Sequence, residues 1–133
     1  FWKPISFDED GNTIRIEQND FYIIRSKERL CLPGDIAVYG QAMTESLGEL
    51  RIHYAGFAHP YFGFYREEGT PLIFEIRGHN VDTFLRDNER IARIKYYRMS
   101  EKVELTDEEK KHEEQDEYQN QELFLSKYFK KWE

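Results

Sequence analysis

The stretch DFYIIRSKERLCLPGDIAVY, residues 20–39, decides how the fold is read. Phe21–Ile24 is a short apolar run, Pro33-Gly34-Asp35 is a turn signal, and Ile36–Tyr39 is a second apolar run behind it. Proline fixes φ and glycine tolerates φ above zero, so such a triplet closes one element and opens the next. Working outward, the same grammar repeats. Thr13–Glu17 alternates, with Ile14 and Ile16 on one face and Arg15 and Glu17 on the other. Leu50–Tyr54 alternates with Arg51 and His53 together, and Leu72–Arg77 with Ile73, Glu75 and Arg77 together. Val81–Leu85 and Ile91–Tyr97 read as further strands, and Gly56, Pro60, Gly63, Gly69, Pro71 and Gly78 punctuate the gaps. Period-two runs of this kind, closely spaced, predict an all-β domain: a sandwich, jelly roll or barrel.

The chain has 133 residues, enough for one domain with a core of its own. It is 39% hydrophobic, 34% charged and 16% aromatic, and the aromatics suit half-buried sheet surfaces. A net charge of -7 argues against a nucleic-acid partner, because neutralising duplex phosphates needs a basic face. A small anion needs only a few donors and stays within reach. No apolar run approaches the roughly 20 residues of a membrane span, so no membrane partner is expected. Cys31 is the only cysteine, which rules out an intrachain disulfide and fits a reducing cytoplasmic setting. The chain opens at Phe1 rather than Met, which is compatible with a preceding segment.

Three regions follow. Residues 1–100 carry the strand pattern, 101–117 form a charged linker or helix, and 118–133 form a C-terminal tail, helical or extended. Thr106-Asp-Glu-Glu109 has capping-box spacing, so a helix can start there. In the tail, Phe124, Tyr128 and Trp132 recur at i, i+4 and i+8 with Leu125 and Phe129 beside them, a pattern that calls for a docking surface.

Several chemistries are excluded. There is no Gly-rich loop ending in Gly-Lys-Ser/Thr and no Gly-x-Ser-x-Gly elbow. Zinc-dependent nucleobase deaminases need Pro-Cys-x-x-Cys, which one cysteine cannot supply. His53, His59, His79 and His112 show no metal-ligand spacing, so no metal site built from side chains is expected.

Three segments, taken together, resemble the dCTP deaminase branch of the dCTP deaminase/dUTPase superfamily. They are Asp20–Ile36 with its Leu-Pro turn; Gly40–Gly63 running on to Phe74-Glu75-Ile76; and Tyr118-Gln-Asn-Gln121, similar to the family's Tyr-x-x-Gln tail. The resemblance implies a distorted β-barrel or jelly roll of the dUTPase-like type, assembled as a homotrimer with sites between subunits. Where the family reads Gly-Arg-Ser-Ser-x-x-Arg-x-Gly and grips the triphosphate, this chain reads Gly40-Gln-Ala-Met-Thr-Glu-Ser-Leu-Gly48. Both glycines are kept, while both arginines are replaced, by Gln41 and Ser46. Neither replacement restores the bidentate charge. Gln41, Thr44, Ser46 and backbone N–H groups remain to cradle phosphates, with Mg²⁺ carried on the triphosphate.

The next family loop shapes the sugar and base pocket. It falls on Ala55–Gly63 and points to Gly56, Phe57 and His59, alongside Tyr61 and Phe62. The position of the Asp that activates water in dUTPases falls on Ala58 or His59, depending on a one-residue gap. His59 can serve as a base, since imidazole titrates near neutrality, or it can simply pack before Pro60. At least one of the three aromatics is expected in the core. Glu75, between apolar neighbours, matches the deaminase strand that carries a catalytic carboxylate. Burial would raise its pKa and let it shuttle protons, while pairing with Arg77 on a wet sheet face is the plainer reading. Arg90–Arg93 resembles a family strand and is read as structural.

The implied function is hydrolysis of a pyrimidine deoxynucleotide: deamination of dCTP, with coupled dUTP cleavage as an extension. Glu75 would be the general acid/base, with Tyr118 and Gln121 closing over the ligand. The alternatives are a dUTP diphosphatase using His59 and a non-catalytic nucleotide-binding or assembly subunit.

Overall fold

The computed structural model describes residues 2–42, 50–52, 56–78, 82–119 and 121–123. The elements are β1 (Thr13–Ile16), β2 (Phe21–Leu30), β3 (Ile36–Ala42), β4 (Leu50–Ile52), β5 (Phe57–Ala58), β6 (Thr70–Gly78), β7 (Thr83–Arg86), β8 (Ala92–Arg98) and α1 (Asp107–Gln115). They form three antiparallel sheets, β1-β7, β2-β6-β4 and β5-β3-β8, and among the described residues these do not close into a barrel. The expected all-β architecture is present, with one short helix.

β6 has the alternation that its sequence predicts. Leu72, Phe74 and Ile76 are buried, while Ile73 and Glu75 are half-buried and Arg77 is exposed. The inward residues meet Ile16, Leu30, Leu32, Val38, Phe62 and Leu85 in one core cluster. Each large aliphatic or aromatic side chain buried there contributes about 1.5–3 kcal/mol of transfer free energy. Of the three loop aromatics, Phe62 is the one in the core.

β2 runs well past the apolar Phe21–Ile24 because its polar half is paired too. The ladder to β6 shifts register between Arg25 and Arg29. At the irregularity the Ser26 hydroxyl donates to the Glu28 carbonyl at 2.6 Å and accepts the Leu72 N–H at 2.9 Å. A bulge that would orphan a backbone donor is thereby satisfied by a side chain.

Within the charged stretch, Asp107–Gln115 is helical. Thr106 and Glu109 form the expected capping box, with the Thr106 N–H donating to the Glu109 carboxylate at 2.7 Å. No residue of α1 is buried.

The segment after α1 is fastened to the sheets through polar groups. Gln119 is 1% exposed. Its Oε1 accepts the Gly63 N–H at 2.5 Å and its Nε2 donates to the Glu113 carboxylate at 2.6 Å. Its carbonyl accepts the Thr70 hydroxyl. Gln121 Nε2 donates to the Pro71 carbonyl at 2.7 Å. Glu122 takes Arg25 at 2.5 Å and Arg29 at 3.0 Å. These two guanidinium hydrogen bonds, Arg25 first, hold the Glu122 carboxyl below the usual carboxylate range.

Gly63 sits at φ +70°, and a Cβ there would overlap the Leu30 carbonyl and come within 2.7 Å of the Thr70 nitrogen. Gly11 shares the φ of +70° but faces open space. Gly63→Ala should therefore lower the melting temperature by on the order of 5 °C or more, since strain and overlap add. Gly11→Ala should cost only the left-handed strain of roughly 1–2 kcal/mol. Equal losses in thermal denaturation would refute the account. A second expectation concerns pH. A carboxylate with a depressed folded-state pKa contributes stability above its unfolded value, near 4.3, and loses it as pH falls through the folded value. Below about pH 4.5 the wild type should therefore lose stability faster than Glu122→Gln, read as melting temperature against pH.

Candidate nucleotide site

The sheet β5-β3-β8 brings two of the sequence-singled loops together. Gly40 and Gly56 pack backbone to backbone, with the Gly40 N–H donating to the Gly56 carbonyl. A Cβ on Gly56 would lie 2.8 Å from the Gly40 Cα, so neither strand can come this close with a side chain in between. That contact sets the register Tyr39 opposite Phe57, with Lys95 on the other side of Tyr39 and Arg93 opposite Gln41. Cross-strand partners and i, i+2 neighbours share a face. Tyr39, Gln41, Phe57, Arg93, Lys95 and Tyr97 therefore form one outer surface. Tyr39 is 50% and Phe57 45% exposed, so this face is open rather than core. The rings of Tyr39 and Phe57 lie 4.9 Å apart, Tyr97 meets Tyr39 edge-on at 5.6 Å, and Lys95 Nζ stands 5.1 Å from the Tyr97 ring.

Beyond Phe57 the chain turns sharply through 59–64. Tyr61 takes φ 69°, uncommon for a bulky residue, and is fixed by its hydroxyl donating to the Val103 carbonyl at 2.9 Å. His59 is half-buried in this turn. Its ring stacks on Tyr118 at 5.2 Å and meets Phe62 edge-on at 6.5 Å. Its Nδ1 lies 2.6 Å from the Pro60 carbonyl, which can only accept, so Nδ1 is the donor in that bond, and among the described residues Nε2 has no hydrogen bond. The Tyr118 hydroxyl donates to the Phe57 carbonyl at 2.7 Å, and burial pushes its pKa up. Gln41, Gly56, Phe57, His59 and Tyr118 are thus one contiguous group, drawn from three distant stretches of sequence.

Glu75 is elsewhere. It stands on β6 opposite Ile23, on the outer face of β2-β6-β4. It is half-buried, and it forms no ion pair with Arg77, which shares its face. Gln121 lies at the start of β6 through its bond to Pro71. Thr44 and Ser46 fall outside the described residues. Sequence reasoning missed Gln119, whose amide anchors the segment that carries Tyr118; a glutamine two residues from a second glutamine gives no sign of which one is buried. It also took Arg93 as structural, and the register shows it exposed beside Gln41. A cleft of about 650 Å³, with Ile24, Leu72, Phe74 and Ile94 among its walls, includes neither Glu75 nor His59. Among the described residues no three His, Cys, Asp or Glu side chains gather as metal ligands, and no helix is long and apolar enough to cross a membrane.

No curated protein sequence matches the chain. Among solved structures, it is similar to the 2'-deoxycytidine 5'-triphosphate deaminase from Agrobacterium tumefaciens. The two share 33% identity with a TM-score of 0.64, over 69% of this chain and 28% of that one. This chain therefore matches only a minor part of that enzyme's length. The model of the 2'-deoxycytidine 5'-triphosphate deaminase (DCD) C-terminal domain matches residues 1–129, nearly the whole sequence. The chain belongs to the family of dCTP deaminase C-terminal domains.

Proposed function

We propose that this chain is a nucleotide-handling domain of a dCTP deaminase, acting in the hydrolytic conversion of dCTP to dUTP and ammonia. The observation that carries the reading is the Gly40–Gly56 contact, which puts Gln41 beside the exposed rings of Tyr39 and Phe57, next to the Phe57 carbonyl that the Tyr118 hydroxyl reaches. A flat base needs a ring to lie on, and phosphate oxygens need donors. Family membership and the 33% identity to the Agrobacterium tumefaciens enzyme point the same way.

In this reading Glu75 takes a proton from water as it attacks C4 of cytosine and returns it to the leaving amine. Gln41, with Thr44 and Ser46, holds phosphates; Phe57 and His59 line the sugar and base; Tyr118 and Gln121 close the site. Mg²⁺ would ride on the triphosphate oxygens, since no carboxylate cluster gathers among the described residues to hold it directly. Glu75 and Phe57 stand on different sheets, so the reading puts the complete site between copies, in a homotrimer. Coupled cleavage of dUTP belongs to the same proposal.

The same separation of Glu75 from the aromatic surface favours a second reading, a non-catalytic nucleotide-binding or assembly subunit. A third, dUTP diphosphatase, draws on His59, whose Nδ1 is engaged by the Pro60 carbonyl and whose Nε2 would act as the base. Incubation with dCTP and dUTP in Mg²⁺, following ammonia and pyrophosphate separately, distinguishes the three. Ammonia from dCTP is the expected result, and Glu75→Gln should reduce it by about 10²–10⁴-fold while leaving binding within a few-fold. Unchanged turnover in that variant would remove Glu75 from the mechanism. Pyrophosphate from dUTP without ammonia, lost in His59→Ala, would make the protein a diphosphatase. Binding without either product would leave the non-catalytic reading.

A further inference from the structure

The outer face of β5-β3-β8 carries an uneven charge. The chain has 26 acidic and 19 basic residues. Yet the exposed positions of that face among the described residues, Tyr39, Gln41, Phe57, Arg93, Lys95 and Tyr97, hold two cations and no carboxylate. Four cations outside this face are held in ion pairs, Arg15 with Asp82, Lys27 with Asp87, and Arg25 and Arg29 with Glu122. Among the described residues Arg93 has no carboxylate partner, and Lys95 meets only the Tyr97 ring.

Their placement is specific. Arg93 stands directly across from Gln41, and Lys95 directly across from Tyr39, whose other neighbour is Phe57. Along β8 the two cations are two residues apart, about 6.6 Å at the rise of an extended strand. A ring-lined patch with paired cations at its edge suits a ligand that is flat and apolar at one end and polyanionic at the other. Arg93 can grip phosphate oxygens bidentately, and Lys95 can act as a point charge on the next group.

We propose that Arg93 and Lys95 are the phosphate-binding cations of this domain's nucleotide site, with Gln41 between the phosphates and Phe57 under the base. The assignment rests on the nucleotide reading above and adds to it the source of positive charge that Gln41 and Ser46 lack. It gives β8 a binding role in place of the structural one expected from Arg90–Arg93.

The test is equilibrium binding of dCTP and of deoxycytidine to the full chain, wild type against Arg93→Gln, Lys95→Gln and the double variant. Arg98→Gln serves as control, since it removes the same charge from β8 on the other face. All three positions are exposed, and circular dichroism verifies folding of each variant. Each single change should weaken dCTP about tenfold, and the double change more, with deoxycytidine affinity unchanged. The dependence of dCTP affinity on salt should flatten in the double variant, and Arg98→Gln should stay within about twofold on the same basis. If the wild type binds dCTP and the double variant binds it equally well, the assignment is wrong and the nucleotide reading survives. If the wild type binds neither dCTP nor deoxycytidine, both fall. A single-stranded oligonucleotide that binds more tightly than dCTP, and is lost in the double variant, would make the face a strand-binding platform and overturn the assignment.

Discussion

A primary amide taken out of water without partners costs a few kcal/mol, and the fold turns that liability into its main fastening. Gln119 is buried with both amide atoms and its own carbonyl satisfied, by Gly63, Glu113 and Thr70. Those partners belong to the tight turn, to α1 and to the first residue of β6. One residue therefore joins the three parts of the molecule that have no ladder in common. The consequence reaches the candidate site, because Tyr118 is the preceding residue. Its ring lies on His59 and its hydroxyl reaches Phe57 only because Gln119 is locked behind it. A polar network of this kind is cohesive only when complete, and no buried side-chain nitrogen or oxygen among the described residues lacks a partner.

The parts of the fold that could be read from sequence were those with a strong period. Thr13–Glu17, Ile36–Tyr39, Leu72–Arg77 and Ile91–Tyr97 all carry strands, at most a few residues longer or shorter than the alternation indicates. The capping box at Thr106 was legible because its two partners are three residues apart in sequence. The polar half of β2 was not, since Arg25–Arg29 has no apolar rhythm and is paired through a bulge completed by Ser26. Strand β5 was missed for a different reason. Two residues, Phe57 and Ala58, carry no period at all, and their pairing depends on two glycines sixteen positions apart.

The candidate site divides along the same line. The loop residues Gln41, Gly56, Phe57 and His59 were pointed to by the family resemblance, and the fold brings His59 and Phe57 into contact with Tyr118. Glu75 was singled out by the resemblance to the deaminase strand, since strand alternation says only which face it takes and nothing about which other sheet lies near it. Arg93 and Lys95 were invisible as site residues because their significance lies wholly in cross-strand register, which no stretch of sequence contains.

Helix α1 is the opposite of the strap that follows it: nothing on it is buried, whereas Gln119 behind it is. Such a segment contributes reach rather than cohesion. Coiled, its nine residues span about 13 Å; drawn out they would span about 30 Å. The capping box at one end and the Glu113–Gln119 bond at the other hold it at the shorter length. It works as a ruler, delivering residue 118 to the distance at which His59 waits, with Glu109 and Glu113 fixing its two ends.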